Sequence, residues 1–291
     1  FTALGYDPTG GGRVGVAYHK LADNRTKFAR GDGLGLATFT NFAFSGPGVN
    51  CQGINTGAGT DGPYLWPKVA IDANASSQPL AHVVSTEYAG AQTALSLVYY
   101  RTNAGMTAPA TTCGLFIDTV TTVSAVVEQD PNSNKVAIVW LRPADWAHAD
   151  AIQQRNNDVV YQESTDNGTS WLLKTNITNY DGNDYERAYT DLAALYSSDG
   201  CLHILWTTSY FDSAYSQVGN QGARLYHWDK CSQCRSLLAD ADNSEAICKR
   251  GTWNKNISKM SLSECTVAGI PRLYASYTYF IGDDNADPGP H

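Results

Sequence analysis

Asp158-Val159-Val160-Tyr161-Gln162-Glu163-Ser164-Thr165-Asp166-Asn167-Gly168-Thr169-Ser170-Trp171 changes character at its midpoint. Asp158 to Gln162 is rich in β-branched and aromatic residues, which favours a strand. Ser164 to Trp171 reads as a tight turn. Asp166 can accept hydrogen bonds from the backbone N–H groups that follow it, and Gly168 can take a positive φ. Trp171 then opens a return strand and offers a large apolar face to pin the turn to a sheet.

The same plan recurs along the chain. Strand-like runs stand at Val14 to Tyr18, Leu80 to Val84, Val136 to Trp140, Leu202 to Trp206 and Leu273 to Tyr277, with first residues 66, 56, 66 and 71 positions apart. Four follow a turn signal: Asp7-Pro8-Thr9-Gly10, Asp72-Ala73-Asn74, Asp130-Pro131-Asn132 and Ser198-Asp199-Gly200. An apolar run precedes three of those turns, at Pro67 to Ile71, Ser124 to Val127 and Leu192 to Tyr196. A third run follows three of the strands, at Ala94 to Tyr100, Asp158 to Gln162 and Ala223 to Trp228. The repeated unit is strand, turn, strand, loop, strand and often a fourth strand, which predicts an all-β chain forming a β-propeller of about five four-stranded antiparallel blades. A six-bladed or incomplete propeller and a two-sheet β-sandwich are the alternatives.

Residues 1–281 read as one propeller domain, with a Gly-rich loop region over 31–62 and a Cys-rich insertion over 229–266. The blade pattern is lost after Tyr18, and Ser232 to Ile247 is the one segment whose pattern suits a short helix. Residues 282–291 have the composition of a tail or linker.

Ser164, Asp166, Gly168 and Trp171 resemble the Asp-box (Ser-x-Asp-x-Gly-x-Thr-Trp) of sialidase-like, BNR-repeat β-propellers, with one extra residue before the Trp. The resemblance implies a propeller fold and a structural role for the box, on the outer turns of the blades. For sialidase chemistry it further implies three arginines clamping a carboxylate, an Asp acid/base, and a Tyr nucleophile activated by a Glu. The family's Arg-Ile-Pro element is missing: Leu65-Trp66-Pro67 stands in the comparable place, and Ile270-Pro271 also lacks a preceding Arg. Only Arg142, Arg187 and a few other arginines are candidates for a clamp.

A net charge of −8 argues against nucleic acid or an anionic membrane surface as partner. No apolar run approaches the roughly 18 residues of a membrane-spanning helix. Seven cysteines in a chain with few lysines suit an extracellular or cell-surface protein with disulfides. Cys231, Cys234, Cys248 and Cys265 are the disulfide candidates; without a second Cys-x-x-Cys they favour bridges over zinc. Asn-x-Ser/Thr sequons occur at Asn24, Asn74, Asn167, Asn176 and Asn256. No metal site or cofactor is expected; Asp283-Asp284-Asn285-Ala286-Asp287 can touch Ca²⁺ but lacks EF-hand spacing.

In a propeller, the loops between second and third strands share one end of the ring with the connections between blades. That rule gathers Trp146, His148, Tyr185, Arg187, Tyr210 and Asp212 as ligand-binding candidates, with Asp145, Asp150 and Glu186 as catalytic candidates. Aromatic rings beside carboxylates and an Arg suit sugars, whose C–H faces stack while hydroxyls take hydrogen bonds. The expected function is a secreted or cell-surface module recognising glycan or another extracellular polymer. A glycoside hydrolase of sialidase-like fold and a structural subunit contacting other protein chains are the alternatives.

Overall fold

The computed structural model describes residues 2–6, 12–20, 25–31, 38–44, 64–72, 78–87, 95–111, 114–146, 156–181, 184–210, 223–241 and 256–279. Among them there is no α-helix. Eighteen strands form antiparallel sheets taken up in chain order. The first blade holds β1 (Thr2–Tyr6), β2 (Val14–Lys20), β3 (Arg25–Gly31) and β4 (Phe39–Ala43). The second holds β5 (Tyr64–Ile71), β6 (Ala81–Glu87), β7 (Leu95–Arg101) and β8 (Leu115–Val120). The third holds β9 (Ala125–Gln129), β10 (Val136–Pro143), β11 (Asn157–Ser164) and the short β12 (Thr175–Asn176). The fourth holds β13 (Glu186–Tyr196), β14 (Leu202–Tyr210), β15 (Arg224–Asp229) and β16 (Arg235–Asp240). The fifth shows two strands, β17 (Ile257–Val267) and β18 (Ile270–Tyr279). The fold is a β-propeller, and every recurring run of the sequence is the second strand of its blade.

The first strands adjoin in sequence, β1 with β5, β5 with β9, β9 with β13 and β13 with β17, and so lie innermost. Among the described residues one strand pairing, Asn157 with Ala188, joins the third and fourth blades, and side-chain hydrogen bonds and packing supply the remaining cohesion. The core is accordingly a set of seams. Phe28, Phe44, Val83 and Tyr100 fill the one between blades one and two, and Leu97, Ile138 and Trp140 the next. Val139, Tyr161, Leu202 and Trp206 fill the third, and Leu205, Leu225 and Ile257 the fourth. Trp140 and Trp206 are fully buried, and truncating such a side chain costs about 3–5 kcal/mol.

Several expectations need correction. Residues 235–240 form strand β16 and not a helix: the exposed edge of β15 pairs with this segment and overrides its Leu- and Ala-rich helical leaning. With β17, this strand shows that 229–266 supplies blade elements. The blade pattern does continue after Tyr18, because Thr26 and Phe28 on β3 face inward while charged Lys27 and Arg30 mask the alternation. Cys231 is bridged to Cys201, across a Cα–Cα distance of 5.8 Å, and to none of the other three candidates. Cys234 and Cys265 are exposed free thiols, and Cys248 lies outside the described residues. Two sequons are engaged in the fold: buried Asn256 donates from Nδ2 to Ala241 O (3.2 Å), and Asn176 Nδ2 donates to Asp158 Oδ2 (2.8 Å).

The turn after β11 forms as its residues dictate. Asp166 Oδ1 accepts from Thr169 N (3.1 Å) and Ser170 N (2.8 Å), and Oδ2 accepts from Ser170 Oγ (2.6 Å). Hydrogen bonds from Ser170, then from Ser164, hold the carboxyl down at about 2. Ser164 Oγ accepts from Gly168 N (2.8 Å), and Trp171 meets Tyr99 edge-on with centroids 4.9 Å apart. This turn sits at the same end as the β9–β10 hairpin, to which Asn167 N donates through Asn134 O (2.9 Å). The candidate site occupies the other end.

Candidate functional site

β10 and β14 run toward this second end, and β11 and β13 start from it. Residues 144–146 leave β10, and Ala144 N donates to Asn156 O (3.0 Å), closing the base of the loop that carries half-buried Asp145 and exposed Trp146. Tyr185, just before β13, and Tyr210, at the end of β14, are paired because Glu186 lies opposite Tyr210 in register. Their rings stack nearly parallel, 6.2 Å apart at 12°, and both are exposed. His148, Asp150 and Asp212 lie outside the described residues.

Arg187 takes a different place from the one its sequence position suggested. It is 2% exposed. Its Nε donates to Asn156 Oδ1 (2.8 Å), Nη1 to Asp184 O (2.9 Å) and Glu186 O (2.8 Å), and Nη2 to Asp181 O (2.5 Å). The guanidinium also lies over the Tyr180 ring at 5.4 Å. It binds the chain's own carbonyls, folding the 181–186 approach to β13 and tying it through Asn156 to the Trp146 loop. A planar five-donor fork suits that task.

Glu186 is half-buried. Its Oε1 accepts from Tyr226 Oη (2.8 Å) and its Oε2 from Thr208 Oγ1 (3.1 Å), with Arg224 Nη1 at 3.5 Å. Arg224 Nε in turn donates to Asp240 Oδ2 (2.9 Å). Burial first, then the bond to Glu186, pushes the Tyr226 phenol up to about 12, so it stays protonated at neutral pH. Tyr226 stacks on Trp206 with centroids 5.6 Å apart, and the Arg235 guanidinium covers the same ring at 5.1 Å. Asp158 is wholly structural, accepting from Asn176 Nδ2, Thr178 Oγ1 (2.7 Å) and Tyr180 N (2.8 Å).

No residue pattern in the sequence marks the throat below this rim. Three innermost strands carry a register break at a corresponding place: β5 between Leu65 and Lys68, β13 between Ala188 and Leu192, β17 between Ser258 and Ser261. Each break holds one non-glycine residue with positive φ, namely Trp66 (52°), Thr190 (53°) and Lys259 (53°). Such bulges re-aim side chains and concentrate strain beside binding sites. Neighbouring blades are joined here, by Ser124 Oγ donating to Thr190 O and by Lys259 N donating to Asp191 Oδ2 (2.9 Å). Trp66, Lys68, Asp191 and Lys259 therefore belong to the innermost layer of the ring. Nothing in Leu-Trp-Pro-Lys or Tyr-Thr-Asp-Leu as sequence marks a left-handed residue. Among the described residues, no group of three or more His, Cys, Asp or Glu side chains is arranged to hold a metal ion.

No family model matches the sequence, and comparison with curated proteins finds no match. Solved structures do share the fold. An α-L-arabinanase of Penicillium chrysogenum complexed with arabinobiose superposes with a TM-score of 0.56 at 10% identity, over 94% of this chain and 74% of the arabinanase. The α-L-arabinofuranosidase Arb93A of Fusarium graminearum gives 0.53 at 10% identity, with the same two coverages. An ulvan lyase, described as a new family of polysaccharide lyase, gives 0.52 at 10% identity over 97% of this chain and 67% of its own. At this identity the likeness is one of fold.

Proposed function

We propose that this propeller is a secreted or cell-surface module that binds glycan at its loop end. The observation that carries the reading is the exposed, parallel Tyr185–Tyr210 pair, held on a rim stiffened from beneath by Arg187 and neighboured by the Trp146 loop. Two flat apolar rings beside Asp184 and Glu186 offer a stacking surface and hydroxyl acceptors together, which is what a sugar requires. Propellers of this fold include proteins whose structures hold arabinobiose or an ulvan oligosaccharide, which supports the choice of ligand class. The hydrogen bonds of the Ser164–Trp171 turn suit an Asp-box, and the Cys201–Cys231 bridge suits secretion.

A glycan-array screen of the oxidised chain, with each spot checked afterwards for cleavage, tests this. Retained ligand without cleavage is the expected result. Tyr185→Ala and Trp146→Ala should each weaken binding about tenfold, the loss of one stacking contact worth roughly 1–1.5 kcal/mol. A blank array, or unchanged binding in both variants, removes the reading. A specific observation favours one second reading, a glycoside hydrolase: the Glu186–Tyr226 pair places a carboxylate and a phenol 2.8 Å apart at the site end. Cleavage that disappears in Glu186→Gln while binding persists would move it to first place.

A further inference from the structure

The end of the fourth blade away from the candidate site carries three sulfurs with an unused chemistry. Cys201 closes the β13–β14 turn and is buried, whereas Cys231 stands exposed in the turn between β15 and β16. Their bridge therefore ties together the two hairpin turns at this end of the blade. Cys234, exposed and free, lies in the same turn as Cys231. That turn is folded tightly: Gln233 N donates to Asp229 O (2.9 Å) and takes a φ of 55°. Asp229 accepts from Ser232 N (2.7 Å) and from Ser232 Oγ, which itself accepts from Cys234 N (3.1 Å).

We infer that Cys231–Cys234 is a thiol–disulfide exchange site, in which the Cys234 thiol resolves the Cys201–Cys231 bridge. The Cys234 thiolate attacks Cys231 Sγ, because Cys231 is an exposed residue of the same turn whereas Cys201 is only 3% exposed. A bond forms between Cys234 and Cys231 as the bond between Cys231 and Cys201 breaks, and Cys201 leaves as thiolate. It takes up the proton that Cys234 gave, so the exchange is an isomerisation needing no oxidant or reductant. The leaving sulfur is provided for: Cys231 N–H points at Cys201 Sγ from 3.1 Å, and once that thiolate has taken up the proton, its S–H can donate a hydrogen bond to Asp229 Oδ1, 3.7 Å away. The outcome converts a staple between two turns into one within a single turn, and frees the β13–β14 turn.

Peptide mapping by mass spectrometry after timed alkylation at pH 8 tests this on the oxidised chain. The expected map contains two species, one with the native bridge and alkylated Cys234, the other with a Cys231–Cys234 bridge and alkylated Cys201. The second species should grow with time and be absent from Cys234→Ser, whose exposed substitution leaves the blade intact. In Cys201→Ser, folded in a glutathione redox buffer whose oxidised form takes the two electrons, Cys231 and Cys234 should resist alkylation unless a reductant is added. Cys201 that stays unalkylated throughout while Cys234 reacts, or Cys234 found bridged to any sulfur but Cys231, overturns the inference.

Discussion

Gly168 shows how one position joins two blades. Its φ of +72° is backbone that glycine adopts without penalty, as the Asp-Asn-Gly sequence already implied. What that sequence does not contain is the neighbour: a Cβ there would stand 1.9 Å from Tyr99 Oη of the second blade. The same phenol makes a 2.7 Å hydrogen bond with Nδ1 of fully buried His82. Burial, then the positive charge of Arg101, lowers the His82 imidazole from 6.5 to about 3. The native state holds the ring neutral, so its contribution to stability is complete above 6.5 and is lost as the pH falls toward 3. Half-buried His203 and His227, lowered chiefly by burial, add to that acid limb. Glu128 on β9 acts in the opposite sense. Desolvation raises its carboxyl from 4.5 to about 8, so its contribution is complete below 4.5 and is lost as the pH rises through 8. Over 4.5 to 6.5 the slopes of His82 and Glu128 oppose one another. Denaturant unfolding across pH should therefore show a plateau there with a fall on either side, His82 alone removing roughly 3 kcal/mol by pH 4. His82→Gln should flatten the acid limb and Glu128→Gln the alkaline one; limbs unchanged in both variants would sink this account.

Among the elements, β13 best separates what is legible in a sequence from what is not. Its apolar half, Leu192 to Tyr196, stands out by composition, while nothing in the residues from Glu186 to Asp191 marks a strand. The strand begins earlier because Arg187 turns inward and satisfies the carbonyls of Asp181, Asp184 and Glu186. If Arg187 organises this approach, Arg187→Lys should lower stability by about 2–4 kcal/mol, since a lysine ammonium cannot span that fork of acceptors. Glycan affinity should fall with it as the Tyr185 ring loses its support. Affinity lost at unchanged stability, measured by unfolding and binding on one preparation, would instead make Arg187 a ligand clamp. Four of the five second strands are legible because their apolar runs follow marked turns, and the fifth, at Leu273 to Tyr277, by its recurrence alone. The throat bulges at Trp66, Thr190 and Lys259 are not, because a left-handed non-glycine residue is imposed by tertiary packing. β16 was misread for a related reason: its register on β15 depends on residues distant in sequence.

Across the whole molecule successive blades are laced by polar contacts at their turns. Arg101 Nη1 donates to Asn167 O, Asn132 Nδ2 to Ser198 O and Ser198 N to Glu264 Oε2, each contact joining successive blades across 66 residues. Those three links lie at or near the surface. The seams must therefore carry most of the cohesion between blades, as hydrophobic burial scales with the area removed from water. The third seam differs from the others in serving the site directly. Trp206 lies at its centre, fully buried, with Tyr226 stacked upon it, and Tyr226 holds Glu186. Trp140 has the same size and burial but faces the second blade, where its Nε1 donates to Asp118 Oδ2 (3.1 Å). Both Trp206→Ala and Trp140→Ala should lose about 3–5 kcal/mol of stability by denaturant unfolding. Their effects on the site should diverge. At a temperature where both variants remain folded, Trp206→Ala should weaken glycan binding at least tenfold, because Tyr226 and then Glu186 lose their backing, and Trp140→Ala should leave it within a factor of two or three. Equal losses of binding in the two variants would mean that the rim responds to the stability of the whole ring and not to the seam beneath it.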